Sequence, residues 1–301
     1  MTNSPLEVCV HPRMQRSHLA IAFALAFLAG SLAQAQSDHR IERLDVAVET
    51  PVYRVPGGLP LPDEALRYRL RWTGIPLGGV ELAMHPDDGG SALAVAIRGA
   101  TWPAISWLYD LRFTGQGRVR TAPFAPGGFE LESCEGDRHK HTRILFPEGD
   151  GPIRSIRQKR GRTTEYFFHS DNAYDVPSAI YLVLNLDYSP GDRYQVDAFT
   201  GEERYLVTAD VVGRETVGIG NESVSAWRLE LGTRPLIDDD DERKHRGTSV
   251  WISDERPRRL LRAKTSTFVG SVTLELEGET EALASARIDS SCPQSTAALG
   301  R

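Results

Sequence analysis

Three groups of residues in this 301-residue chain have types and spacings that could do chemistry. The first is Cys134 followed by His139-Lys140-His141, in which two imidazoles two residues apart fall on one side of a strand. Nitrogen and sulfur donors suit zinc, but a site needs three or four convergent ligands. Only two are visible, so strand histidines beside a disulfide are the plainer reading. The second group is Asp238 to Asp241 with Glu242, which could attract calcium. It lacks the glycine and the spaced oxygens of a calcium loop, and Arg243, Lys244 and Arg246 neutralise it, so it reads as a solvated turn. The third is nucleophilic, and it is empty: there is no G-x-S-x-G, no H-E-x-x-H and no glycine-rich phosphate loop between a strand and a helix. Ser178 beside Pro177 reads as a helix cap. No enzymatic activity, metal or cofactor is expected.

What remains is recognition. Of Trp72, Trp102, Trp107, Tyr109, Phe113, Tyr181 and Trp227, most read as core. Trp102, Trp107 and Tyr109 differ, because they lie in a proline-containing, non-strand insertion where a β-barrel would have its mouth, a recurrent place for apolar ligands. Ile180, Tyr181 and Leu184 would line such a ligand from a buried helix. A second surface is offered by Arg67, Arg69 and Arg71, every second residue of one strand; the plainer reading is an ordinary solvated face.

The elements that must position these groups are mostly strands. Leu66, Tyr68, Leu70 and Trp72 alternate with those arginines, and Val80, Leu82 and Met84 with Glu81, Ala83 and His85, which makes a β-hairpin with one dry face. Similar runs recur to Glu277, with Thr121 to Phe129, two prolines and two glycines, reading as a loop. One helix interrupts them. Asp175-Val176-Pro177-Ser178 offers capping oxygens and an early proline, and AIYLVLNL is apolar nearly all round, which predicts a buried helix. A dozen short strands must twist and then close or split. The expected fold is an all-β curled antiparallel sheet, an open barrel or β-spiral around that one helix, with a two-sheet sandwich as the alternative.

Residues 1–35 read as a cleaved secretory signal: Arg13 and Arg16, an apolar run from Leu19 to Leu32, then Ala33-Gln34-Ala35. Either Met1 or Met14 could be the start. No other apolar run is long enough to span a membrane. Residues 36–62 read as a loose, proline-rich arm, 63–282 as one β-rich domain and 283–301 as a polar tail. The leader carries a net charge of +1 (Arg13, Arg16, Glu7), so the remainder goes from −6 to −7. An acidic chain is a poor partner for nucleic acid. In an oxidising compartment Cys134 and Cys292 are expected to pair; two free, buried thiols are the alternative.

Three stretches together, YRLRWTGIPLGGVELAM, VPSAIYLVLNLDYSPGDRY and VWISDERPRRLLRAKTSTFVGSVTLEL, resemble the bacterial exported family called domain of unknown function 3108. The resemblance covers most of Leu66 to Leu276. It implies a periplasmic β-rich domain without an established activity. Where the family commonly has an aspartate before the Pro-Ser step and an arginine after the helix's aromatic, this chain has Val176 and Val183 or Leu184. The expectation is a periplasmic protein (secreted as the alternative) that binds or carries a hydrophobic small molecule or lipid of the envelope. The rival is a ligand-free module that holds an envelope protein partner.

Overall fold

The computed structural model describes residues 39–46, 53, 55, 59–107, 109–237, 247–267, 270–279 and 292. The leader, the Asp238–Glu242 run and nearly all of the tail lie outside these residues. Sixteen strands and one helix follow in order: β1 (His39–Arg43), β2 (Glu64–Trp72), β3 (Ile75–Pro86), β4 (Ala92–Thr101), β5 (Leu111–Thr121), β6 (Phe124–Glu135), β7 (Arg138–Leu145), β8 (Ile153–Lys159), β9 (Arg162–Phe168), β10 (Ala173–Asp175), α1 (Val176–Asn185), β11 (Arg193–Phe199), β12 (Arg204–Ile219), β13 (Glu222–Pro235), β14 (Thr248–Ser253), β15 (Leu260–Ser266) and β16 (Ser271–Glu279). They form one sheet in the order β1-β9-β8-β7-β6-β5-β4-β3-β2-β16-β15-β14-β13-β12-β11-β10. Only the outermost pairs, β1 with β9 and β10 with β11, are parallel.

Two antiparallel meanders therefore spread from the β2–β16 pair, where Leu70 faces Leu274 and Tyr68 faces Leu276. Their far ends meet through a very short link. β9 ends at Phe168 and β10 begins at Ala173, and the four residues between can span only about 15 Å. Laid flat, sixteen strands would be about 70 Å wide. The sheet must therefore curl until its two edges nearly touch, and β10 comes round to face β6. The result is an open, unclosed spiral, the fold the alternation predicts.

The main core fills the concave side: Leu66, Tyr68, Leu70, Phe113, Leu131, Trp227, Leu229 and Ile252 surround α1, whose Ala179 and Leu182 are wholly buried. Asp175 caps α1, accepting the Ser178 N–H at 2.9 Å, and Pro177 sits in the first turn. The other end of α1 is closed from outside, as Arg256 and Arg258 on the β14–β15 connection donate to the Asn185 and Leu186 carbonyls. A second cluster (Leu44, Ile144, Ile153, Tyr166, Phe168, Ala173, Phe199) packs the overlap of the spiral's two edges. There Arg204 and Asp197, each 1% exposed, pair at 2.6 Å, and the guanidinium also donates to the Leu44 carbonyl at 2.9 Å.

Two sequence expectations change. The stretch read as a loop from Thr121 to Phe129 belongs largely to β6, which already pairs with β5 at Phe124. Its glycines permit close strand approach: a Cβ on Gly127 would lie 2.6 Å from the Arg118 carbonyl oxygen. The described residues of the 36–62 arm also have defined positions. His39–Arg43 pair with β9, and Tyr53, Val55, Leu59 and Leu61 pack on the core.

Candidate functional site

Aromatic rings gather where the N-terminal strap meets α1. Phe124 at the start of β6 stacks on Tyr174 (centroids 5.3 Å apart) and lies 6.3 Å from Tyr181 on α1. Tyr53 of the strap closes the group, its ring 6.1 Å from that of Tyr174 and its hydroxyl donating to the Tyr174 hydroxyl at 2.6 Å. Beside them Met84, Leu93, Val95 and Val119 form an apolar floor with Tyr181. Strand alternation puts Met84 of β3, Val95 of β4 and Val119 of β5 on the same, inward face.

The strap covers this floor. Leu59 and Leu61 pack onto it half-buried, and the Tyr181 hydroxyl donates to the Pro60 carbonyl. Burial pushes the Tyr181 phenol up to about 12 and raises those of Tyr53 and Tyr174, so all three stay neutral. The lining thus offers aromatic faces, aliphatic side chains and a few uncharged hydroxyls. Such a lining suits an extended apolar chain with one weakly polar group.

The residues singled out from sequence do not all meet here. Tyr181 lies in the aromatic group, Leu184 is buried in the main core and Ile180 is half-buried at its edge. Trp102, Trp107 and Tyr109 lie elsewhere. Trp102 follows the end of β4 and donates its backbone N–H to the Leu77 carbonyl, whereas Leu93 of the floor is the second residue of that strand. Nine residues of extended chain, about 30 Å, separate them. With Ile75 (56% exposed), Trp102, Trp107 (82%) and Tyr109 form an apolar lip at the opposite end of the sheet.

Two of the three arginines on the β2 face are in ion pairs within the sheet. Arg67 and Arg98 both grip Glu81, which is 1% exposed: its carboxylate accepts from Arg67 Nη2 at 2.8 Å and from Arg98 Nε at 2.6 Å. Arg69 pairs with Glu277, and Arg71 is half-buried. Cys134 is bonded to Cys292, with Cα atoms 5.7 Å apart. Of the two imidazoles, His139 lies directly opposite Cys134 on β7, while His141 turns to Glu130 at 2.7 Å.

Sequence reasoning missed the strap residues Tyr53, Leu59 and Leu61 and the floor residue Phe124. Four prolines and two glycines made residues 51–62 look like a linker. The alternation of Leu59, Pro60 and Leu61 was the available signal.

The family model described as "Protein of unknown function (DUF3108)" matches residues 67–277. No curated protein matches the chain. Among solved structures, a "putative lipoprotein from Parabacteroides distasonis" is similar at 11% identity and a TM-score of 0.31, over 74% of this chain and 97% of that one. So distant a likeness carries no argument about function.

Proposed function

The chain belongs to the DUF3108 family, and from its own geometry we propose that it is a non-catalytic, soluble periplasmic protein that binds a hydrophobic envelope component, an acyl chain or similar molecule. One observation carries the reading: a neutral aromatic and aliphatic floor is covered by half-buried residues of the strap (Tyr53, Leu59, Pro60 and Leu61) that belong to no strand or helix. The strap occupies the place a ligand would take, and among its described residues Leu59 and Leu61 pack on the floor. Ligand entry would replace Leu59 and Leu61 on Tyr181, Phe124 and Met84 while the sheet stays fixed. Among the described residues no helix is long and apolar enough to cross a membrane.

The test is a titration of a fluorescent fatty-acid probe into the full chain and into a Leu59→Ser/Leu61→Ser variant. The variant should bind more tightly, by about tenfold for each 1.4 kcal/mol of strap contact removed, and Phe124→Ala should weaken binding in that background. Equal, negligible binding by both chains would contradict the reading.

A second reading rests on the lip. Ile75, Trp102, Trp107 and Tyr109 are large apolar side chains exposed together beside one sheet end, a surface suited to an envelope partner. Trp107→Ser with Trp102→Ser should abolish capture of such a partner without altering probe binding.

A further inference from the structure

On the outer face of the β6–β7 hairpin three metal-ligating atoms converge. The sulfurs of Cys134 and Cys292 and a ring nitrogen of His139 all lie within 4.8 Å of one another. Two of these residues are fixed by the sheet, because Cys134 and His139 are directly opposed across the β6–β7 ladder, two residue pairs from its turn. Cys134 is buried, while His139 and Cys292 are half-buried. Arg112 of β5 is the cross-strand neighbour of Cys134 on its other side. Its guanidinium is paired with Asp110 at 3.2 Å.

We propose that the Cys134–Cys292 bond is one state of a redox-gated site, whose reduced state holds a thiophilic divalent cation, Zn2+ in the first instance, through Cys134, Cys292 and His139. Two thiolates and one imidazole are a donor set that zinc accepts with a fourth position left to water. The two states exclude each other, since a sulfur in a disulfide has no thiolate to give. Reduction by a dithiol transfers two electrons and two protons, leaving two thiols here and one disulfide on the reductant. Cation entry then forms two Zn–S bonds and one Zn–N bond and releases the two thiol protons. Neither step involves the strap or the aromatic floor.

The experiment uses the full chain, reduced with a phosphine and desalted without oxygen, with Co2+ as spectroscopic probe and Zn2+ as competitor. Reduced protein should take one equivalent of Co2+ with thiolate-to-metal charge-transfer bands and the visible bands of a four-coordinate ion, and Zn2+ should erase both. Unreduced protein should show neither. Groups that merely orient a metal ligand are worth about 10–100-fold in affinity, so His139→Ala, which keeps both cysteines, should weaken Zn2+ binding at least that much. Three results would each overturn the proposal: the same weak Co2+ spectrum in reduced wild type and Cys134→Ser, binding unaffected by His139→Ala, or loss of the β-sheet circular dichroism on reduction.

Discussion

Asp175 shows how one residue can matter in a way its type alone does not disclose. It is wholly buried as the cap of α1, and desolvation pushes its carboxyl up from 3.8 to about 6. An acid whose folded pKa is raised holds its proton more tightly in the native state, so stability falls as pH climbs from about 4 to about 6 and is level above that. Asn caps a helix as well as Asp does. Asp175→Asn should therefore fold normally and lose this slope, read as Tm against pH between 4 and 7; an unchanged slope would assign it to other groups. The cap was legible in Asp175-Val176-Pro177-Ser178, since capping is local. It also supplies, one residue earlier, an aspartate that Val176 does not. The buried pair Asp197–Arg204 was not legible, because its burial comes from the spiral's overlap and not from neighbours in sequence.

At the scale of elements, alternation identified the strands well and their surroundings poorly. Arg67, Arg69 and Arg71 do point away from the core, as the period of two requires. What it could not show is that the next two strands present Glu81 and Arg98 in register with Arg67. A ladder of charge thus ties β2, β3 and β4 together at a buried carboxylate. Removing that carboxylate leaves two guanidiniums, 27% and 16% exposed, facing each other. Breaking a buried ion pair costs about 3–5 kcal/mol, and partial exposure puts Glu81→Ala near the lower end, about 3 kcal/mol. Urea unfolding should show it as a lower midpoint at constant slope; a change under about 0.5 kcal/mol, typical of surface substitutions, would mean that the ladder is solvated. β6 was misread for the opposite reason. Glycine and proline usually punctuate chains, yet here Gly127 permits the tight approach of β6 to Arg118 of β5 and Gly128 its approach to Ile144 of β7.

The whole molecule is a long ribbon whose ends are drawn together by the short link from β9 to β10, with α1 laid along the groove this creates. Its curl was legible from strand number and the single apolar helix. The strap was not, since its hydrogen bonds, Tyr53 to Tyr174 and Tyr181 to Pro60, are to residues more than a hundred positions away, and its leucines pack on β3 to β5 with no sustained periodicity to announce it. The Trp102–Tyr109 insertion stands at the far end of β4 from the floor residue Leu93, because position along a strand is something periodicity does not encode. We propose the floor beneath the strap as a binding site for an apolar molecule. Its most direct test is to export the wild-type chain and the Leu59→Ser/Leu61→Ser variant, purify both without detergent, and analyse organic extracts by mass spectrometry. The variant should carry one apolar species near one equivalent and the wild type less; clean extracts from both, with the fold intact, would contradict a binding site there.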